Sequence, residues 1–411
     1  MATLRLKTTL LEVIHVWRSS LPEKAVARSG APTKGWNTLI NRTQRRLKGT
    51  EGGLWTRQAR HSRCAVSGGF TVPNEMRAVR VHEVGDASKL RYEHGVPVPG
   101  PGPGELLVKN MFSGLNYHDT YTRSGLYPRP LPLTLGTEGG GTVVAVGEGV
   151  SDSRIGERVA YLAEGSYAEY SVTPTHRAVR VPRVVSLRHA TCLMVQGLTA
   201  HYLTKSIFPL GPGDVCLVHA AGGGTGSLVV QMAKKLGATV IALSGSIAKA
   251  ESAKRHGADH SLVYRDRDGG LVPWLVEEVR RLTPNGEGVH VAYDSVGKDT
   301  ALHSLACLRP RGALILYGNA SGPPPDIAPL ALAEQGSCFM VRPKLHDYME
   351  DEEETAWRGA ELFGHPEGPH AGEPLHVLEP VLHATMPLER AADGHRMIEA
   401  RKTMGKVLFE V

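Results

Sequence analysis

The stretch Asp214-Val-Cys-Leu-Val-His-Ala-Ala-Gly-Gly-Gly-Thr-Gly226 constrains the fold more than any other part of this chain. Residues 215–218 form a short apolar run that reads as a buried parallel strand. The run meets four glycines, Gly222, Gly223, Gly224 and Gly226. Residues 227–235 then take a helical period, with Gly237 just past their end. A strand, a glycine turn and a helix start suit a dinucleotide pyrophosphate. Glycines let the backbone approach the phosphates, and the free N–H groups of the first helical turn point at the negative charge. Glycine clusters also occur in ordinary tight turns, but here the flanking periods supply the context the motif requires.

The next strand, residues 239–243, ends about twenty positions beyond the glycines. A fold that prefers NAD places an Asp or Glu there to hold the ribose 2′-hydroxyl. This chain has Ser244-Gly-Ser-Ile-Ala-Lys249 instead. The acid is missing, and Ser246 and Lys249 suit a 2′-phosphate, which points to NADP(H). Alternation continues with strands at 260–264, 289–293 and 313–317 and helices at 271–282 and 300–307. Such alternation predicts a doubly wound parallel sheet, whose ligands bind at the carboxyl ends of the strands. Tyr264, Ser295, Gly318 and Asn319 fall at such ends and are cofactor-contact candidates.

At 411 residues the chain has room for two domains and an appendage. No apolar run approaches the roughly 18 residues that span a membrane. Five cysteines, Cys64, Cys192, Cys216, Cys307 and Cys338, are scattered without a C-x-x-C pair. That spacing suits a reducing compartment and offers no disulfide framework. The net charge of +6 is unevenly placed: residues 1–75 carry 13 Lys/Arg against 4 Asp/Glu, while the remaining 336 residues carry 34 against 37. The body is therefore not basic, and its charge gives no argument for nucleic acid.

Residues 1–75 are rich in Arg, Ser and Thr, a composition that suits a mitochondrial transit peptide. Two other readings stay open: a natural start at Met76, where Met76-Arg-Ala-Val-Arg-Val reads as a first strand, and a basic disordered arm. From residue 76 to about 187 short alternating strands appear at 105–111, 141–146, 157–161 and 167–172, separated by turn clusters such as Pro97-Val-Pro-Gly-Pro-Gly-Pro-Gly104. They predict a mostly antiparallel, barrel-like domain. Residues 406–411 read as a closing strand that returns to it, and the acidic run 350–354 as the start of a solvated helix.

This order of barrel, nucleotide fold and C-terminal return resembles the medium-chain dehydrogenase/reductase superfamily, in particular its zinc-free quinone oxidoreductase, zeta-crystallin-like branch. The resemblance runs from Met76 to Val411. It rests on Gly114-Leu-Asn-Tyr-His-Asp-Thr-Tyr121, Ser124-Gly-Leu-Tyr127, Leu135-Gly-Thr-Glu-Gly139, Gln196-Gly-Leu-Thr-Ala200, the glycine stretch, Tyr293-Asp-Ser-Val-Gly297, Gly318-Asn-Ala-Ser-Gly322 and Arg401-Lys-Thr-Met-Gly405. It implies a Rossmann-type doubly wound sheet plus a GroES-like barrel domain. The domains are then 1–75 as an N-terminal extension, 76–200 catalytic, 201–336 NADP-binding, and 337–411 returning to the catalytic domain. Zinc-dependent relatives place Cys at position 116, His at 137 and Cys near 196. This chain has Asn116, Thr137 and Gln196, so no catalytic metal is expected.

Carried over position by position, the resemblance puts Asn116 and Tyr121 in the nicotinamide and substrate cleft. Gly223, Gly224 and Thr225 hold the pyrophosphate, with Thr225 where close relatives usually have Val. Ser246, Lys249 and Tyr264 face the 2′-phosphate side, and Ser295, Gly318, Asn319 and Arg401 complete the cofactor cleft. Gly222, where relatives often have Ala, loosens the turn. His118 receives no catalytic role, because the resemblance implies a position that varies in the family and nothing in the sequence pairs it with an acid or a nucleophile. The implied activity is hydride transfer from NADPH to a quinone in a homodimer, with the Asn116 amide and Tyr121 hydroxyl as oxyanion donors. Two alternatives are reduction of an activated double bond (an enal, enone or enoyl thioester) and a non-catalytic nucleotide- or RNA-binding role.

Overall fold

The structure, a computed structural model, describes residues 71–266, 268–364, 374 and 378–411. The expectations for residues 1–70 lie outside them. Strand β1 (Glu75–Val81) pairs antiparallel with β2 (Leu90–Pro97). The long strand β3 (Glu105–Leu115) leads directly into helix α1 (Tyr117–Ser124). Strand β4 (Leu133–Thr134) closes a three-stranded sheet in the order β2-β1-β4. Next come β5 (Glu138–Val146), β6 (Arg158–Leu162), β7 (Tyr170–Pro174) and β8 (Ala178–Arg180). Their alternating burial places Leu106, Val108, Val143, Val159 and Tyr161 in one apolar cluster.

Helix α2 (Leu187–Tyr202) is apolar on most sides and passes from this region into the nucleotide fold. There β9 (Val215–His219), α3 (Gly224–Lys235), β10 (Thr239–Ser244), α4 (Ile247–Arg255), β11 (His260–Val263), α5 (Leu275–Arg281), β12 (Val289–Asp294), α6 (Ala301–Ala306), β13 (Leu308–Leu316), α7 (Pro329–Glu334) and β14 (Phe339–Val341) alternate. The six strands are parallel and ordered β11-β10-β9-β12-β13-β14, so the winding reverses between β9 and β12. Cores fill both faces of the sheet. The sheet reaches Val341, past residue 336 where the sequence pattern ended the domain, because β14 is only three residues long and gives no periodic signal.

Three local differences have physical causes. Helix α3 begins at Gly224 rather than 227, with Gly223 as its N-cap, so the glycine turn is itself the first helical turn. Helix α5 begins at Leu275, which leaves Pro273 in the preceding turn, where its missing N–H costs nothing. Helix α8 (Glu352–Phe363) does open on the acidic run, with the Asp351 side chain accepting from Glu354 N–H at 2.7 Å. It is not solvated throughout: Arg358, Leu362 and Phe363 are buried, and Arg358 bonds His201 of α2 at 2.8 Å.

The chain ends with β15 (Leu382–Pro387), α9 (Ala391–Glu399) and β16 (Lys406–Glu410). Strand β16 lies antiparallel to β3, with Phe409 opposite Ser113, and continues the seven-stranded sheet of the first region. Cys192, Cys216, Cys307 and Cys338 are buried and unpaired with one another. Among the described residues, no helix is long and apolar enough to cross a membrane.

Candidate active site

The glycine turn sits at the C-terminal end of β9, beside the point where the winding reverses. The N-cap of α3 is Gly223, which has no side chain to occupy the first N–H groups of the helix. A Cβ on Gly226 would stand 2.3 Å from the Ala220 carbonyl oxygen, and one on Gly224 2.3 Å from Gln196 Oε1. That Gln196 oxygen is buried and has no hydrogen-bond partner. A bare helix start with an unpartnered acceptor above it is a cradle that fits a dinucleotide. Gly223, Gly224 and Thr225 line it, all partly accessible.

Gly222 is not slack in the turn. A Cβ there would lie 2.7 Å from Lys249 Cβ and 2.8 Å from the Lys249 carbonyl oxygen. Its missing side chain is what lets α4 pack against the turn, so the expected loosening is corrected to close approach.

At the end of β10, Ser246 is the exposed N-cap of α4. Lys249 lies one turn on, its Nζ donating to the Arg401 carbonyl oxygen at 2.8 Å. Burial and then the Arg401 charge hold the Lys249 ammonium below its ordinary value. Arg401 comes from the loop between α9 and β16. The same loop bridges Gly405 to Gly223 of the glycine turn. Tyr264 is buried at the end of β11, with the Arg265 guanidinium 5.4 Å from its ring centre. Arg265, which the sequence pattern did not single out, pairs with Asp299 at 2.6 Å, and Arg401 lies 3.9 Å from the same carboxylate. Asp299 is thus the acid near this group of cations, and Arg265 neutralises it. Position alone, one residue past a strand end, was the available signal for Arg265.

Ser295 and Gly318 meet at the ends of β12 and β13: a Cβ on Gly318 would stand 2.5 Å from the Ser295 carbonyl oxygen. The next residue, Asn319, donates its backbone N–H to the Tyr121 hydroxyl at 3.1 Å. That contact joins helix α1 of the first region to the end of the parallel sheet. Burial raises the Tyr121 hydroxyl above its ordinary value, so it stays protonated with its own hydrogen available to donate. Tyr127 lies edge-on to Tyr121 at 5.3 Å between ring centres, and His118 lies 5.4 Å beyond Tyr127.

Asn116 is correctly placed near this cleft, but its amide is not a free donor. Its Nδ2 donates to Glu138 Oε1 at 2.9 Å and lies 3.4 Å from the Gly114 carbonyl oxygen. Its Oδ1 accepts from Lys406 Nζ at 2.9 Å. Lys406 and Glu138 are completely buried and in direct contact. Glu138 also accepts from Val195 N–H at 2.6 Å. Burial pushes the Glu138 carboxyl up, and the Lys406 charge and hydrogen bond draw it down. The expected oxyanion role of Asn116 therefore gives way to that of a strut between a buried ion pair and the start of α1. No sequence signal joined Lys406 to Glu138, because 268 residues separate them.

Residues 224–344 match the family described as zinc-binding dehydrogenase, and residues 102–183 match the alcohol dehydrogenase GroES-like domain. The chain is 38% identical over 342 residues to the 2-haloacrylate reductase of a Burkholderia species, covering 81% of this chain and 98% of that protein. It is 38% identical over 328 residues to a quinone oxidoreductase of Pseudomonas aeruginosa, covering 79% and 96%. A solved Escherichia coli quinone oxidoreductase, complexed with NADPH, superposes with a TM-score of 0.75 at 35% identity, over 82% of this chain and 100% of that one. Among the described residues no three His, Cys, Asp or Glu side chains converge as metal ligands, and the Lys406 ammonium already sits against Glu138.

Proposed function

The chain belongs to the medium-chain dehydrogenase/reductase superfamily, in its zinc-free quinone oxidoreductase branch, and on that premise we propose that it reduces quinones with NADPH and without a metal. NADPH, when bound, supplies a hydride to the acceptor. Everything else is the work of this chain's own residues. Gly223, Gly224 and Thr225 hold the pyrophosphate at the start of α3. Ser246, Lys249, Tyr264 and Arg401 hold the 2′-phosphate. Ser295, Gly318 and Asn319 line the nicotinamide end, and Tyr121 offers its hydrogen to the oxygen on which negative charge develops.

The observation that carries this reading is the contact of Tyr121 with the Asn319 backbone. It sets a protonated phenol and a wall of aromatic rings across from the carboxyl ends of β12 and β13, where a planar acceptor would stack. The test is NADPH oxidation against a panel of benzo- and naphthoquinones, an enal and crotonyl thioester. Quinone turnover above the others, with Tyr121→Phe slower by about tenfold to a hundredfold, supports the reading. The Burkholderia relative favours a second one, reduction of an activated double bond, for which turnover of the enal far above the quinones is the signature.

Three further parts of the reading have their own support. The NADP-binding domain runs from 201 through β14, which pairs with β13, and the catalytic domain spans 76–200 together with the segment after β14, whose last strand β16 rejoins β3. The open edge strand β14 exposes Phe339 and Met340, with Leu330 exposed on α7. An uncovered apolar sheet edge suits pairing with a second copy, so a homodimer at twice the 44.3 kDa chain mass is the expected result of light scattering. The Arg-rich, acid-poor composition of residues 1–75 supports mitochondrial targeting. Import into isolated mitochondria, with and without that segment, tests it.

A further inference from the structure

His118 stands in the first turn of α1, beside Tyr127 and on the same wall as Tyr121. Its Nδ1 lies 3.1 Å from Thr137 Oγ1, and the Thr137 hydroxyl donates to Asp119 Oδ1 at 2.5 Å. Because that hydroxyl spends its hydrogen on Asp119, it receives one from His118. The ring therefore carries its hydrogen on Nδ1 in the neutral form. No described residue hydrogen-bonds Nε2.

Asp119 is completely buried and surrounded by donors only. Besides Thr137 it accepts from Asn116 N–H at 2.8 Å and from the Tyr167 hydroxyl at 3.0 Å. Behind Tyr167, the His395 ring lies 3.3 Å away and Arg123 Nη1 lies 3.0 Å from His395 Nδ1. Arg123 has only hydrogens to give, so His395 carries its own on Nε2, facing Tyr167. Every hydrogen in the chain points toward Asp119. Burial pushes the Asp119 carboxyl up, while His118 and the three hydrogen-bond donors draw it down, and acceptor duty on both oxygens fits the ionised form.

We propose that His118 is the catalytic acid of the reduction, held in tautomer and orientation by Thr137 and Asp119. This rests on the NADPH-dependent reading above. In its protonated form the ring carries a second hydrogen on Nε2, and once the acceptor oxygen carries negative charge it takes that proton. The N–H bond breaks with its electron pair left on the ring, an O–H bond forms, and the neutral ring regains a proton from water. Thr137 and Asp119 are positioning residues. Among the described residues, the other titratable groups near His118 are Tyr127 on the following segment, Glu164 beyond β6 and His346 from the 345–348 turn.

The test uses the full-length protein. In ¹⁵N-histidine-labelled protein without nucleotide, with His118→Asn assigning the resonance, His118 is expected as the Nδ1–H tautomer, shifting toward Nε2–H in Thr137→Val. An Nε2–H tautomer in the wild type overturns the relay. In turnover with a naphthoquinone, His118→Asn is expected to lose on the order of 100-fold in kcat. It should also lose the alkaline limb of the wild-type pH profile, with NADPH affinity by fluorescence titration within twofold of wild type. Thr137→Val should fall between the two. A His118→Asn enzyme with unchanged kcat and pH profile overturns the assignment and leaves the reading standing. A wild-type protein that binds no NADPH overturns the reading and this inference together.

Discussion

Lys249 Nζ donates to the Arg401 carbonyl oxygen at 2.8 Å across 152 residues of chain. One partner belongs to the first turn after β10, the other to the loop that precedes the last strand. Folding the C-terminal segment back thus brings a second cation beside the first, at the place where NAD-preferring folds keep an acid. Burial first, and then the Arg401 charge, hold the Lys249 ammonium below its ordinary value.

Lys249→Ala should weaken NADPH selectively. A lost charge-assisted hydrogen bond of about 1.5–3 kcal/mol corresponds to roughly a 10- to 150-fold rise in the dissociation constant. NADH affinity should stay within about twofold. Titrating both nucleotides by fluorescence checks this, and an equal loss for both would show that Lys249 only shapes the turn.

Gly222→Ala tests the close approach of α4. The new methyl meets the Lys249 backbone, which cannot swing aside as a side-chain tip can. The expected cost is about 1–3 kcal/mol of stability, together with a raised KM for NADPH. Ala at this position with both quantities unchanged would mean the turn accommodates it by a route the packing does not suggest.

Lys406→Met leaves the Glu138 carboxyl buried without its cation. Such a loss costs about 3–5 kcal/mol, read from chemical denaturation. Lys406→Met with Glu138→Gln should cost clearly less than the sum of the two single changes, because the pair is one unit. Additive losses would show that the contact carries little coupling.

His395 makes stability depend on pH. Burial, and then the Arg123 charge, hold its imidazole down at about 3. An unfolded histidine titrates near about 6.5. Above that value the ring is neutral in both states. As pH falls from there toward 3, the unfolded chain takes up a proton that the native chain refuses, so stability is lost. His346, held at about 4 by burial and the Arg177 charge, acts with the same sign. Between pH 7.5 and 5 the wild type should lose about 2 kcal/mol through His395. His395→Leu should show that much less of the fall. The buried carboxyls Asp119 and Glu138 are pushed up and act with the opposite sign, which is why the wild-type and variant slopes must be compared.

The sequence by itself determined the parallel sheet, the glycine turn, the missing acid after β10 and the candidates at the strand ends. Those features are local: periods of 2 and 3.6, glycine's tolerance of close approach and a short spacing each follow from residues near one another in the chain. What only the tertiary structure decided is which groups share a space. The commitment of Asn116 to Lys406 and Glu138, the meeting of Arg401 with Lys249, and the line from His118 through Thr137 to Asp119 depend on β16 lying against β3 and on α1 facing β5. Hydrogen bonds require partners within about 3 Å. A linear pattern carries no distance, whether the partners stand 19 residues apart, as His118 and Thr137 do, or 290, as Asn116 and Lys406 do. That is why His118 has no partner in the sequence and reaches a buried carboxylate through Thr137 in the fold.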